Sequence, residues 1–444
     1  MQYVYAGNFT AIPNWGCRST GLALESILAE KHRVSDSIAV ESLLHTGWDQ
    51  FARPFFRQGG LLPYKWSSAA WAARRVVPRA YRKFQTIDRL LGARYDFVSA
   101  DPHESVTRFH AARKHHPRLE EIYQSIVRSD AVVINGEGTM IFSNPARRDV
   151  LFTNFLMALA LQSRKKLFLL NAMFDECPQT GLDRATLATS IELLNEADGV
   201  ACRERASYEF LIRHGCKSRL STIPDALFSW TRKVRSAAEH IELFERDMLP
   251  FGTDGSDHVF DFTSSYICVA GSSSVHRMGE RRAIEAYVGM VEALKEICPN
   301  VILVRTCHWD HYLETVGKAT ASPVVPQEIP VLMGAAILAR ARLFVSGRYH
   351  PSILASLSGT PCVFLAANSH KTTTLQQTLG YTDVKTFSEV PDQAEIKKIA
   401  SFASDRFRNS DKLRNVLASA ADLRAAQAQR FLDFVDGGEV GLLL

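Results

Sequence analysis

The feature that most constrains the fold of this 444-residue chain is an alternation of short apolar runs with longer amphipathic stretches. Short apolar runs fit strands that are buried on both faces, and amphipathic stretches fit the helices that cover them. The runs are 131–134, 166–170, 199–202, 266–270, 301–304, 343–345 and 362–365, and helices are predicted over 207–214, 280–297, 331–341 and 352–357. This regular alternation predicts an α/β protein built on parallel sheets.

The pattern is interrupted once, near the middle of the chain. Residues 234–261 are charged and lose the strand rhythm, and 250–255 have the proline and glycine content of a linker. We therefore predict two doubly wound, Rossmann-like domains, 1–235 and 263–444, joined by a linker at 236–262 and facing a cleft. The second domain is predicted to carry the donor site and to end in a C-terminal helix. In such sheets ligands bind beyond the carboxyl ends of the strands, so the loops found there are expected to line the cleft.

Composition excludes several classes of protein. The most apolar long stretch, 151–170, contains Arg164, Lys165 and Lys166, and therefore falls short of the roughly 18 uninterrupted apolar residues of a membrane-spanning helix. The first eight residues do not resemble a secretory signal. The eight cysteines include no C-x-x-C pair that could chelate zinc. We expect a cytoplasmic protein with buried cysteines and no metal site.

Positive charge is concentrated in residues 53–94. This basic stretch holds ten lysines and arginines and one acid, although the net charge of the whole chain is only +5. Among the aromatic residues interleaved with these cations are Phe55, Phe56, Trp66, Trp71, Tyr81 and Phe84. The composition suits an insertion that contacts anionic lipid headgroups or a pyrophosphate-linked glycan, and nucleic acid is not expected as a partner because no nucleic-acid-binding motif surrounds it. A solvated helical face with a buried aromatic side is the alternative.

The densest group of chemically capable residues is S-G-R-Y-H-P at 346–351. It lies between the strand predicted at 343–345 and the helix predicted at 352–357. Arg348 and His350 would point into the cleft from the start of that helix, where backbone N–H groups also favour anions. Lys371 follows ten residues after the turn at 359–361. Three cations at strand ends suit a small, multiply charged anion. In the alternative, Arg348 pairs with a carboxylate and His350 is structural.

These residues carry a family resemblance. Ser346, Arg348, His350, Gly359, Pro361 and Lys371 closely resemble the C-terminal signature of the polysaccharide pyruvyl transferase family, S-x-R-L/Y-H, then G-x-P, then a lysine. In the first half, 129–139 resembles that family's strand and glycine-rich turn, Arg203-Glu204 with Ser207 and Gly215 resembles its R-D/E-x-x-S helix start, and Asp225 stands where the family has an acid after a strand. The resemblance spans about residues 8–385.

One departure concerns the N-terminal motif. Asn14-Trp15-Gly16 resembles the family's N-x-G-D, but Cys17 stands where the acid usually is. Glu137 is a second departure, because family members commonly have a glycine at that position of the glycine-rich turn.

The resemblance implies a fold similar to that of GT-B glycosyltransferases and the transfer of enolpyruvate from phosphoenolpyruvate onto two sugar hydroxyls. The product would be a cyclic ketal, phosphate would be released, and neither a metal nor a cofactor would be needed. Arg203, Arg348 and Lys371 would bind the anionic donor with Ser346, and His350 would be the general acid. The acceptor would be an oligosaccharide or a lipid-linked glycan.

The general base has two candidates, Glu137 and Asp225, which both follow predicted strands of the first half. A base must accept a proton from a sugar hydroxyl, and a carboxylate can do so. For each residue, the alternative is a carboxylate that caps a helix or braces a loop. Glu137 is ranked as a substrate contact.

Two further loops are expected to face the cleft. In His308-Trp309-Asp310-His311, Trp309 would stack on a sugar ring and Asp310 and His308 would hydrogen-bond it, with Asn14 also on the acceptor side. The loop at 271–277 could bind a phosphate through backbone N–H groups, with Arg277 as a donor-binding cation, or could be a simple connection.

The leading hypothesis is a ketal pyruvyltransferase that acts on a sugar of a cell-surface polysaccharide or its lipid-linked precursor. A nucleotide-sugar glycosyltransferase of the same architecture is the first alternative, because a fold does not determine function. A glycan-binding protein that has lost catalysis is the second, and the cysteine at position 17 keeps this alternative open.

Overall fold

The structure is a computed structural model that describes residues 1–8, 14–39, 97–115, 117–241, 262, 264–273, 275 and 278–442. The first sheet comprises β1 (Gln2–Asn8), β2 (Arg33–Ala39), β3 (Ala131–Phe142), β4 (Lys166–Glu176), β5 (Gly199–Cys202) and β6 (Leu220–Thr222). The second comprises β7 (Ile267–Ser272), β8 (Val301–Val304), β9 (Val324–Val325), β10 (Leu343–Gly347), β11 (Cys362–Leu365) and β12 (Thr386–Phe387). All neighbouring strands in both sheets are parallel, as predicted.

The strand orders show where ligands can bind. The first sheet has the order β2-β1-β3-β4-β5-β6, and the second has β12-β11-β10-β7-β8-β9. The second order, read from its other edge, is that of dinucleotide-binding Rossmann sheets. The strand order reverses beside β1 in the first sheet and beside β7 in the second. The chain connections on the two sides of that point run in opposite directions and leave a crevice at the carboxyl ends of the strands.

Helices cover both faces of each sheet. They are α1 (Trp15–Leu28), α2 (Pro102–Ala112), α3 (Pro117–Arg128), α4 (Arg148–Gln162), α5 (Arg184–Asn195), α6 (Arg205–Arg213), α7 (Thr231–Glu239), α8 (Glu280–Lys295), α9 (Tyr312–Thr320), α10 (Val331–Arg340), α11 (Tyr349–Ser356), α12 (Lys371–Thr378), α13 (Gln393–Arg408), α14 (Ser410–Ala428) and α15 (Arg430–Val435). Alternate residues of one strand belong to different cores: Tyr5 packs in one apolar cluster and Val4 in another. The cluster around Tyr5 also contains Cys268 of β7, so a single core joins the two halves.

The first sheet corrects one prediction. Strands predicted to end at 134 and 170 continue as β3 and β4 to residues 142 and 176. Glu137 and Asn171 have positive φ values of 41° and 55°, and the pairing register shifts beside each of them. These residues bend the strands without ending them, as a β-bulge does. The predicted glycine-rich turn at 136–138 is therefore wrong, because these residues lie inside β3.

The helix after β10 also differs from the prediction. It was expected over 352–357, but α11 begins at Tyr349, and Arg348 occupies the capping position. His350 therefore lies in the first helical turn, which fixes the direction of its side chain more firmly than a loop would.

The domain division remains a prediction. Helix α7 runs across its first boundary at 235, and most of the predicted linker, 242–261, lies outside the described residues, as does the basic stretch 53–94. At the C-terminal end, Thr222 of β6 pairs with Leu442, and Arg219 donates a 2.6 Å hydrogen bond to the Phe434 carbonyl. The last helix thus packs against the first sheet. Among the described helices, none has the length and apolarity needed to cross a bilayer.

Candidate active site

Arg203, Asp225 and His350 converge where the two halves meet. Arg203 follows β5, Asp225 lies beyond β6, and His350 is in the first turn of α11. Asp225 Oδ2 lies 3.2 Å from His350 Nε2 and 3.3 Å from Arg203 Nη1. Nη1 of Arg203 also lies 3.2 Å from that ring nitrogen, and the Arg203 guanidinium stacks on the Tyr349 ring at 4.1 Å from its centroid. Three predicted site residues from distant parts of the sequence are thus in contact.

Asp225 is a fully buried carboxylate that keeps its negative charge. Burial raises its pKa, but the neighbouring His350 and Arg203 outweigh burial and lower the pKa to about 2. Its Oδ1 atom accepts hydrogen bonds from the Thr20 hydroxyl at 2.7 Å and from the Leu227 amide at 3.0 Å. Asp225 is therefore ionised and fixed in place, and it can hold a positive charge on the imidazole of His350.

His350 lies between two carboxylates. Its Nε2 faces Asp225, and its Nδ1 lies 3.6 Å from Glu137 Oε1. The Asp225 side chain has no exposed surface, whereas the Glu137 side chain is 10% exposed. The Nδ1 side of the ring therefore faces the less buried of the two carboxylates, and Asp225 supports the ring from the other side.

Helix α1 packs its first turn against the imidazole. The Asn14 side chain caps this helix by accepting hydrogen bonds from the amides of Gly16 at 3.0 Å and Cys17 at 3.3 Å. A Cβ atom at Gly16 would lie only 2.7 Å from His350 Nδ1, so glycine permits this approach. Asn14, predicted to bind an acceptor, has its side-chain oxygen occupied by the helix cap.

Cys17, next along α1, contacts the Glu137 carboxylate. Burial and the hydrogen bond with Glu137 raise the pKa of the Cys17 thiol, so the thiol keeps its proton. Seven of the eight cysteines are buried, as expected, and Cys17 is partly exposed. The thiol can therefore donate to Glu137 and help to orient it.

Arg348 is held by a buried acid from the second half. Its Nη2 atom lies 2.5 Å from Asp310 Oδ1, and the other Asp310 oxygen accepts hydrogen bonds from the amide and hydroxyl of Thr306 at 3.0 and 2.9 Å. The Ser346 hydroxyl accepts a 2.9 Å hydrogen bond from the Arg348 amide. Asp310 and Ser346 have no exposed surface, and both position Arg348. Their expected contacts with acceptor and donor stay predictions.

Lys371 is the first residue of α12 and donates a 2.7 Å hydrogen bond to the Asn368 side-chain oxygen. Burial and the neighbouring Arg203 and Arg348 lower the pKa of its amine to about 7. Arg147 also contributes to this lowering, so four cations share one region. The predicted donor residues Arg203, Arg348 and Lys371 are therefore close enough to influence one another electrostatically, and Arg203 also contacts the His350 imidazole.

The remaining predicted residues have different surroundings. Trp309 is 40% exposed, and its ring centroid lies 4.3 Å from that of His308, so an aromatic surface is available near the cleft. Burial and Arg348 lower the pKa of His308. Arg277 lies outside the described residues, so its donor role stays a prediction. Across the described part of the chain, no group of three or more His, Cys, Asp or Glu side chains is arranged to hold a metal ion.

Sequence reasoning missed several residues of this region. Arg147 donates to the Gly138 carbonyl at 3.4 Å and pairs with Asp149 at 2.6 Å. His370 lies between Asp175 and Glu204. Glu204 was part of the R-D/E-x-x-S resemblance but was given no role. Adjacency to Lys371 was the only sequence signal for His370, and Arg147 and Asp175 had none.

Comparison with solved structures supports the architecture. UDP-GlcNAc 2-epimerase from Methanocaldococcus jannaschii is similar, with a TM-score of 0.52, 11% identity, and coverage of 98% of this chain and 99% of that one. UDP-GlcNAc 2-epimerase from Neisseria meningitidis has a TM-score of 0.51, 11% identity, and coverage of 99% and 100%. Sucrose-phosphate synthase from Thermosynechococcus elongatus has a TM-score of 0.50, 12% identity, and coverage of 98% and 97%. At these identities the likeness shows the fold alone, which is the predicted GT-B-like pair of Rossmann-like domains.

The family is shown by the sequence itself. No curated protein matches the chain significantly. The family model for polysaccharide pyruvyl transferase, however, matches residues 88–369, which is more than half of the chain. This match includes the strand bearing Glu137, the Arg203 and Asp225 segments, and the helix start with Arg348 and His350. The chain therefore belongs to the polysaccharide pyruvyl transferase family.

Proposed function

We propose that this protein transfers enolpyruvate from phosphoenolpyruvate to two hydroxyls of one sugar, in a cell-surface polysaccharide or its lipid-linked precursor. The observation that supports the proposal is the clustering of Arg203, Arg348 and Lys371, with Arg203 in contact with the imidazole of His350. Phosphoenolpyruvate bears a carboxylate and a phosphate, so it needs several cations in one small site. The reaction also needs a proton donor beside them.

The donor anions have identifiable partners among these cations. Arg203 Nη2 has only the weak Met173 thioether acceptor, at 3.5 Å, among the described residues. Arg348 Nε is buried and has no hydrogen-bond partner among the described residues. Lys371 interacts with a neutral amide. Each of these groups can donate to a phosphate or carboxylate oxygen without giving up an ion pair within the protein.

The chemistry then requires one proton for carbon and the removal of two from hydroxyls. The proton on His350 Nδ1 goes to the methylene carbon of the donor, and positive charge develops on the adjacent carbon. The first sugar oxygen bonds to that carbon, and Glu137 accepts its proton. The bond to phosphate then breaks, the second hydroxyl bonds to the same carbon, and its proton leaves with the phosphate. Asp225 and the guanidiniums stabilise the charges that develop.

Burial supports Glu137 over Asp225 as the base. Asp225 is inaccessible, and its pKa is held at about 2 by His350 and Arg203, so it is a poor proton acceptor. Glu137 is partly exposed and lies beside the nitrogen that we assign as the acid. Asp225 is then the residue that orients and stabilises the imidazole.

The acceptor is proposed to be an oligosaccharide or a lipid-linked glycan. The exposed Trp309 ring supports a sugar contact near the cleft, because aromatic faces pack against the apolar faces of sugar rings. The basic stretch 53–94 would add contact with an anionic membrane or a pyrophosphate-linked acceptor. We propose no metal and no cofactor.

The experiment is incubation of the purified protein with phosphoenolpyruvate and candidate glycans, with phosphate release and glycan mass as readouts. Release of phosphate together with the mass gain of one ketal-linked pyruvyl group supports the proposal. His350→Gln is the matched inactive control. Thermal stabilisation by nucleotide-sugars and not by phosphoenolpyruvate would instead favour a glycosyltransferase. Glycan binding without stabilisation by either donor would favour a non-catalytic protein.

A further inference from the structure

A second histidine bridges the two halves of the molecule beside the proposed donor site. His370 lies between β11 and α12, directly before Lys371. Its Nδ1 atom lies 2.8 Å from Asp175 Oδ2, and its Nε2 atom lies 3.2 Å from Glu204 Oε1. The backbone amide of His370 also donates to Asp175 Oδ2 at 3.2 Å. Both acids belong to the first half and the histidine belongs to the second.

The two acids connect this bridge to Arg203. Glu204 is the next residue in sequence, and its Oε2 atom lies 3.4 Å from Arg203 Nε. Asp175 is the second-last residue of β4. Two residues earlier in the same strand, the Met173 thioether accepts a weak hydrogen bond from Arg203. His370 is therefore next to Lys371 in sequence, and the first-half segments that carry its two carboxylate partners also contact Arg203.

The geometry also defines the protonation state of the ring. Each ring nitrogen faces a carboxylate oxygen, and an ionised carboxylate can only accept a hydrogen bond. A neutral imidazole has one N–H, so its other nitrogen would direct a lone pair at an anion. The imidazolium form, with two N–H groups, satisfies both contacts.

We infer that His370, as an imidazolium, is a positioning residue that holds Lys371 of the second half against Arg203 of the first and so completes the donor site. This inference rests on the proposed function, because it assigns both cations to one donor. The charged groups facing the ring are Asp175 from β4 and Glu204 from the segment before α6, with Lys371 adjacent on its own element. Burial alone would lower the pKa of His370, but the two acids raise it to about 9. The bridge is therefore present at neutral pH and is lost as the pH rises through about 9.

The bridge itself is tested without activity, by following histidine ring signals of the full-length protein by NMR as a function of pH. The His370 signal is identified by its absence in His370→Gln. We expect a titration midpoint well above that of an ordinary histidine and a lower midpoint in Asp175→Asn. A midpoint near 6.5 that does not change in Asp175→Asn would refute the bridge.

The positioning role is tested by the affinity for phosphoenolpyruvate. We expect His370→Gln to weaken binding at pH 7.5 by about tenfold or more, because a small displacement of a binding group has a large effect. Wild-type affinity should also fall as the pH rises through about 9, and the variant should lack that step. His32→Gln is the matched control, because His32 contacts Asp436 at 3.1 Å in a different region.

The outcomes separate this inference from the proposed function. If the wild-type protein binds phosphoenolpyruvate and His370→Gln binds it equally well with the same pH profile, the positioning role is wrong and the proposed function stands. If wild type does not bind phosphoenolpyruvate at all, the proposed function fails, and the positioning role fails with it even where the NMR titration shows the bridge.

Discussion

The lowered pKa of Lys371 predicts that donor binding takes up a proton. The pKa is about 7 because the amine is buried and lies near Arg203 and Arg348, which disfavour a further positive charge. An anionic donor bound among these cations would offset much of their repulsion and raise the pKa of Lys371 again. The charged form of Lys371 would then be restored, and its proton would come from the buffer.

The size of this uptake follows from the pKa. At pH 8, one unit above a pKa of about 7, roughly a tenth of the free protein carries a charged Lys371. If the bound donor returns the pKa towards its usual range, about 0.9 proton is taken up for each donor bound. The phosphate of the donor, with a second pKa near 6, is already ionised at pH 8 and contributes little. At pH 6, the contribution of Lys371 falls to about 0.1 proton.

Isothermal titration calorimetry measures this number. Phosphoenolpyruvate is titrated at pH 8 in buffers with different ionisation enthalpies, and the slope of the observed enthalpy against ionisation enthalpy gives the protons taken up. Lys371→Arg is the matched control, because its guanidinium is charged throughout and should bind the donor with almost no uptake. Equal uptake by wild type and Lys371→Arg would refute the assignment of the proton to Lys371.

Three further perturbations test other parts of the site. His350→Gln cannot deliver a proton to carbon, so kcat should fall by about two to four orders of magnitude with little change in donor affinity, and an equal loss of affinity would make His350 an anion-binding residue only. Arg348→Ala leaves the Asp310 carboxylate buried without its cation, so the free energy of unfolding should fall by about 3 to 5 kcal/mol in denaturant titration; Arg348→Ala with Asp310→Asn should recover part of this, and no recovery would contradict the pairing. Gly16→Ala should cost about 1 to 3 kcal/mol through the clash with His350, whereas Gly441→Ala, which would meet nothing within 4 Å, should cost little; equal stabilities would contradict the close approach.

The strands were predictable because parallel strands buried on both faces are continuous apolar runs. Val301–Val304 is such a strand, and both its bounds agree with the prediction. The turn expected at 136–138 was not there, because glycines inside a strand give the same local signal as glycines in a turn. Glu137 takes up a positive φ there, and the segment nevertheless stays paired with β4.

The site was predictable where one motif carried several of its residues, and not where contacts join distant segments. Arg348, His350 and Lys371 lie within 24 residues of one another, and their types already indicated an anion site. The bond between His370 and Asp175 joins positions 195 apart, and no local pattern indicates it. Asp310 shows the same difficulty: its residue type suggested a sugar contact, and only the fold shows that Arg348 lies beside it.

The ion pairs of the site explain why one cation titrates and the others do not. Arg203 has Asp225 and Glu204, Arg348 has Asp310, and Arg147 has Asp149. Within the described part of the chain, Lys371 has only the neutral Asn368 amide as a hydrogen-bond partner. The carboxylates therefore offset the charge of each guanidinium before any ligand arrives, whereas Glu137 only partly offsets the burial and the neighbouring cations that lower the pKa of Lys371. An arginine at position 371 would carry a permanent charge close to Arg203 and Arg348, so Lys371→Arg should lower the melting temperature of the free protein, and the donor should reverse most of that loss.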